Sequence, residues 1–242
     1  MRAILVLLTF TSLIFGQDRD RVFYLTHTST TQQFQEVATV IRTMTDIREA
    51  ALNNELKTVA VHASSGQIAL AEWLFNELDN PAVQPSLLHE YGVPGAADDV
   101  VRLFYLTQTP TVQDFQEVAT LIRTIAGFTR AFTYNERRAF VVRGTAAQIG
   151  LAEWLLKELE PKATPATSEY RMPGTNDDVI QVLYFTSTPN VQDFQKAATT
   201  IREATKIQRV FTYNSPRAVA LRGTADQIAT AGRMAKQFEK QP

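Results

Sequence analysis

Residues 101–160 read VRLFYLTQTPTVQDFQEVATLIRTIAGFTRAFTYNERRAFVVRGTAAQIGLAEWLLKELE, and this stretch decides the fold. Residues 101–106 are rich in β-formers and run into Thr-Pro, the signature of a first strand. Phe115, Val118, Ala119, Ile122, Ile125 and Ala126 then recur at helical spacing and form an apolar stripe. Thr111 with Asp114 three residues on supplies a capping box for that helix. Residues 128–134 alternate as a strand, Asn135-Glu136-Arg137-Arg138 turns the chain, and residues 139–143 return it, which predicts a hairpin. Thr145 and Gln148 form a second capping box before Ile149, Ala152, Leu155, Leu156 and Leu159. The order is β-α-β-β-α. Two amphipathic helices on one sheet face make a two-layer α+β unit of about 60 residues, small enough for folding to be marginal yet feasible alone.

Working outward, the unit occurs three times. Shifted by 81, Phe115-Gln116-Glu117-Val118-Ala119-Thr120 falls on the identical residues 34–39, and Ala152-Glu153-Trp154-Leu155 on residues 71–74. Shifted by 79, residues 101–160 match 180–239 at 29 of 60 positions without a gap. Internal duplication is the reading; the long period points to tandem mini-domains rather than a solenoid. Both capping boxes recur, as Thr30 with Gln33 and Ser64 with Gln67 in copy one, and as Asn190 with Asp193 and Thr224 with Gln227 in copy three. The expected organisation is α+β, three tandem β-α-β-β-α modules joined by Pro-rich linkers. Module 1 spans 22–79, module 2 101–160 and module 3 180–240, with linkers at 80–100 and 161–179. Both linkers end in a related pattern, Tyr91-Gly92-Val93-Pro94-Gly95 and Tyr170-Arg171-Met172-Pro173-Gly174, so part of each belongs to the duplicated unit. Each module is expected to close its own core, with the linkers protease-sensitive.

Residues 1–16 carry one early positive charge, an apolar run and a small residue before Gln17, the layout of a cleavable export signal. The run is too short to span a bilayer, for which roughly 20 residues are needed. The expected location is the periplasm of a bacterial envelope, with no integral membrane segment after signal removal. The chain has no Cys, which excludes a disulfide framework and thiolate metal sites. A formal net charge of −1 gives no global electrostatic case for nucleic acid.

The Asn turn before a strand, Arg143-Gly144-Thr145 ahead of a helix, Gln148-Ile149, and the same pattern at Asn214, Arg222-Gly223-Thr224 and Gln227-Ile228 resemble the periplasmic N-domain (NolW-like) repeats of bacterial secretins. The resemblance implies modules that pack against like modules as rings below an outer-membrane channel. Copy one departs from it, with His62-Ala63-Ser64 for Arg-Gly-Thr and Glu49 where the others have Arg130 and Arg209. With Pro242 following module 3, the expected role is a scaffold or adaptor rather than the channel itself. Its partners would be proteins, a type II secretion or type IV pilus secretin or further copies of the chain; the alternative is a module protein that binds a peptide or glycan. Candidate interface residues are Tyr134, Asn135, Arg143 and Gly144, with Tyr213, Asn214, Arg222 and Gly223 in copy three. The Arg residues are expected at a solvent-accessible hairpin end, and the Asn residues are expected to serve turn geometry.

Chemistry-bearing residues are sparse. His27, His62 and His89 have no metal-ligand spacing, Ser64-Ser65 beside His62 lacks a nucleophile elbow, and no catalytic constellation recurs, so no enzyme activity, cofactor or metal is expected. Asp98-Asp99 and Asp177-Asp178 read as solvated acids at the linker ends. Arg42, Arg123 and Arg202 recur in every first helix, where long stems cover apolar surface. Trp73 and Trp154 flank their stripes as core edge or interface anchor, and copy three has Arg233 there. The Gly-x-x-Gly spacing at Gly92 and Gly95 lies in a linker, not between helices as a KH nucleic-acid module requires.

Overall fold

A computed structural model describes residues 18–82, 89–159, 168–175 and 177–239. The stretch read as an export signal and part of each Pro-rich segment lie outside the described residues. Module 1 runs β1 (Arg19–Tyr24), α1 (Thr31–Thr45), β2 (Glu49–Asn53), β3 (Thr58–Ala63) and α2 (Ser65–Asp79). Module 2 runs β4 (His89–Gly92), β5 (Val100–Tyr105), α3 (Val112–Ala126), β6 (Arg130–Tyr134), β7 (Ala139–Gly144) and α4 (Ala146–Leu159). Module 3 repeats this as β8 (Ser168–Arg171), β9 (Val179–Tyr184), α5 (Val191–Thr205), β10 (Arg209–Tyr213), β11 (Ala218–Gly223) and α6 (Ala225–Phe238). The class is α+β, and every pairing is antiparallel.

Local sequence accounts for these elements. Thr30, Ser64, Thr111 and Thr224 close full capping boxes with the residue three positions on, and Asn190 caps α5. Each offers a side-chain oxygen to an otherwise orphan N–H of the first helical turn. The first helix of each copy ends on a left-handed residue, Asp46, Gly127 or Lys206. Arg42, Arg123 and Arg202 stand in the last turns, where a cation suits the carbonyl-rich end.

Two features go beyond the sequence reading. The stretches read as linkers each hold a short strand, β4 or β8, which pairs along β5 or β9; the sheets are β1-β3-β2, β4-β5-β7-β6 and β8-β9-β11-β10. Four residues bounded by Pro, Gly and polar residues were too short to signal a strand. The second correction concerns the cores. Val101, Leu103, Tyr134, Ala139 and Val141 of module 2 bury in one cluster with the helices of module 1, while Phe104, Phe140 and Val142 pack with α3 and α4. Likewise Ile180, Val182, Tyr213, Ala218 and Ala220 of module 3 join the cluster around α3 and α4. Each interior sheet is therefore buried on both faces. The layers run sheet, helices, sheet, helices, sheet, helices; two cores are shared across the module boundaries, and a third is closed by module 3 alone between its sheet and its own helices.

Candidate functional site at the module seams

Each seam sets the sheet of one module on the helices of the one before. The apolar floor comes from the alternation of the strands. On β7 Ala139 and Val141 point back to module 1, and on β11 Ala218 and Ala220 point back to module 2. The receiving helices meet them with residues such as Val40 and Leu121, both fully buried.

Polar contacts fix the register. At the first seam the Arg143 guanidinium donates to the Met44 carbonyl and the Asp46 carboxylate of α1's end, while its other N–H groups grip Asp99 at 2.6 Å and 3.0 Å. At the second seam Arg222 donates to the carbonyls of Ile125, at 2.9 Å, and Ala126, and holds Asp178 at 2.6 Å. The carbonyl end of a helix carries partial negative charge, so a guanidinium satisfies otherwise orphan acceptors and the dipole together. Asp99 and Asp178 both titrate below the usual carboxylate range because the Arg beside each stabilises the charged form. The expectation of solvent-accessible Arg side chains is corrected here: Arg143 and Arg222 are only 10% and 12% exposed. The acids read as solvated are also structural. Asp98 and Asp177 accept from the first backbone N–H of α4 and α6, at 2.8 Å and 2.7 Å.

Asn135 uses its chemistry as well as its turn geometry. Its backbone N–H and its side-chain amide both donate to Glu36 of α1 at 3.1 Å, and Asn214 repeats this on Glu117 of α3. The neighbouring Tyr134 and Tyr213 are buried, and that burial pushes each phenol up to about 12. Gly144 and Gly223 serve their own module's helix start. A Cβ on either would fall 2.6 Å or 2.8 Å from the capping Gln148 or Gln227 oxygen. The candidate Tyr, Asn and Arg residues thus lie in contacts between modules of one chain, while the glycines pack against their own module.

Sequence reading left Trp73 and Trp154 open between core edge and interface anchor, and it missed their partners and the remaining seam residues. Trp73 stacks obliquely on Tyr91 of β4 with ring centres 5.5 Å apart, and Trp154 on Tyr170 of β8 at 5.4 Å. The paired recurrence of Trp and the linker Tyr was the available signal. Tyr105 and Tyr184 donate to the Glu77 and Glu158 carbonyls at the ends of α2 and α4. Arg137 also donates to the Glu77 and Asn80 carbonyls, and the His89 ring, buried at the first seam, stands 2.7 Å from the Glu77 carboxylate.

Solved structures similar to this chain include secretin N-terminal domains. XcpQN012 is similar at 12% identity over 93% of this chain and 100% of that one, with a TM-score of 0.30. The N-terminal domain of the secretin XcpQ from Pseudomonas aeruginosa gives 12% identity, 93% and 97% coverage, and a TM-score of 0.27. Aeromonas hydrophila ExeD gives 9% identity and a TM-score of 0.23, over 93% of this chain, which spans 42% of that chain's length. No family model and no curated protein matches the sequence. Among the described residues no helix is long and apolar enough to cross a membrane, and no three His or acidic side chains gather as a metal site.

Proposed function

We propose that the chain is a non-catalytic scaffold or adaptor of the bacterial envelope that docks protein modules of its own kind, with a type II secretion or type IV pilus secretin as partner. One observation carries the reading. The same docking chemistry, Arg on helix-end carbonyls, Asn on Glu and Trp on Tyr, is built twice in one chain around a shared apolar floor. A surface that repeats in this way is a recognition surface for like modules, and export would place it where secretin N-domains work.

Titration of the purified mature chain against purified secretin periplasmic domains, followed by sedimentation velocity, tests this. A saturable complex is expected; absence of one with every secretin tried would remove the adaptor reading. A second reading rests on a groove of about 820 Å³ on module 3, between α6 and β9. There the Gln181 side-chain oxygen is buried without a partner, while the equivalent Arg102 of module 2 is held by Glu90 and Glu153. That groove suits a peptide or glycan, and binding of such a ligand with no protein partner would favour it.

A further inference from the structure

The two ends of the stack differ from its interior in a correlated way. Module 1 presents the sheet face that elsewhere docks backward, and module 3 presents the helix face that elsewhere receives. Among the described residues both faces are open. Val22 and Tyr24, at the places of Leu103 and Tyr105, are 45% and 68% exposed. On module 3, exposed Thr200 and Ala204 stand where α3 has buried Leu121 and Ile125.

The charges on these two faces are exchanged relative to the first seam. At the first seam Arg130 of β6 lies 2.9 Å from Asp46, the left-handed cap of α1. The cap of α5 is Lys206, and the residue of β2 at the place of Arg130 is Glu49; both are exposed. Cation and anion have swapped sides. At a second position Glu36 and Glu117 receive the turn residues Asn135 and Asn214. Module 3 has Lys196 at the place of Glu117, and module 1 has Asn54 at the place of Asn135. An amide oxygen accepts from an ammonium as readily as an amide N–H donates to a carboxylate.

We infer that the sheet face of module 1 docks on the helix face of module 3 in a second copy of the chain, repeating the internal seam head to tail with Glu49 of one copy against Lys206 of the next. This rests on the reading of the modules as docking surfaces and names one partner for the terminal pair. Terminal repeats often carry polar outer faces that end a stack. A solvated cap, however, needs only loss of the docking residues, whereas here the Arg130–Asp46 pair is exchanged at both members and the Asn–Glu pair is changed at one, each in the sense that keeps the two sides matched. With Thr200 in place of Leu and Ala51 in place of Phe132, the junction buries less apolar surface than an internal seam and is reversible. A heterologous contact of this kind generates open chains or closed rings.

The test is a charge exchange read by sedimentation velocity over a wide concentration range. The wild-type mature chain is expected to self-associate reversibly, and Glu49→Lys or Lys206→Glu alone to weaken association about tenfold or more, since repulsion replaces attraction. The double variant Glu49→Lys with Lys206→Glu is expected to recover it. Mixing the two single variants, each self-repelling, is also expected to restore association, because each then meets its opposite on the partner copy. Both positions are exposed, and circular dichroism of the singles controls for folding. A wild type that stays monomeric at the highest concentration, or association that neither single variant weakens, overturns the inference. A monomeric chain that still binds a secretin leaves the proposed function standing; a self-associating chain that binds no secretin retires the adaptor reading alone.

Discussion

The seam between modules 1 and 2 and the seam between modules 2 and 3 share a frame and differ in reinforcement. In both, Arg reaches helix-end carbonyls while gripping an Asp, Asn meets Glu, and Trp stacks on Tyr. The first seam adds Arg137 on the end of α2, where the second has Pro216, and the ion pair of Arg130 with Asp46, where Arg209 lies beside Gly127 instead. The shared set is what docking requires. The added set marks how far one seam can be strengthened without changing its geometry.

The largest test of that division is in the apolar floor. Leu121 is fully buried beneath the sheet of module 3, so Leu121→Ala is expected to cost about 2–5 kcal/mol, the lost transfer energy plus a cavity. Thr200→Ala, at the same place on the open face of module 3, is expected to change stability by less than about 0.5 kcal/mol. Urea denaturation checks both. Because cores are shared across seams, the wild type is expected to unfold in one cooperative transition. A separate early transition for module 3 would show that the seam is weaker than its burial implies.

Next in size is the Arg pair. Arg222→Ala strips Asp178 of its hydrogen-bonding partner and leaves the α3 carbonyls uncapped, in a seam where Pro216 stands at the place of Arg137. About 2–3 kcal/mol is expected. Arg143→Ala is expected to cost less, because Arg137 still holds the first seam. Equal losses would mean that Arg137 adds nothing. Acid probes the same contacts. The folded-state pKa values of Asp99 and Asp178 are depressed, so their contribution is fully present above the ordinary carboxylate value of 3.8 and is lost as pH falls through the folded values. Stability measured from pH 6 downward is expected to fall below about pH 4, and less so in a chain carrying Arg143→Ala with Arg222→Ala.

What the sequence disclosed follows from how local each signal is. Capping boxes at Thr111 and Thr145 and the Asn135 turn involve residues three or four apart, and they were legible because their partners lie within one turn of chain. The stacking was not read, although a signal was present. In β3, Val59 and Val61 alternate with Ala60 and His62, as on a strand with one open face, whereas Ala139-Phe140-Val141-Val142 and Ala218-Val219-Ala220-Leu221 are apolar throughout. Continuous apolar runs mean burial on both faces. The helices carry the same message, since α4 is apolar on two sides and α6 on one. Arg143 was singled out by its recurrence, but its exposure was misjudged because the carbonyls it caps lie 99 residues earlier in the chain.

The smallest expected effect separates reinforcement from frame most finely. Arg130 and Asp46 are 38% and 49% exposed, so their attraction is diluted by water and costs side-chain entropy to form. Arg130→Ala is therefore expected to destabilise by only about 0.2–1 kcal/mol, with most of that gone at 1 M salt, where the screening length shrinks to roughly 3 Å. A double-mutant cycle with Asp46→Ala isolates the pair, but Asp46 also accepts from Arg143, so the cycle must be repeated in an Arg143→Ala background. Arg209→Ala at the second seam is the control. Its guanidinium lies against Gly127, a residue without a carboxylate, and acts on Asp178 only through space, so the loss there is mostly packing and is expected to be only weakly sensitive to salt. If the Arg130 effect were equally insensitive, the first seam would owe its extra contact to the apolar stem of Arg130 and not to its charge. The charge exchange between Glu49 and Lys206 would then have to be judged by the same standard, since it rests on that pair.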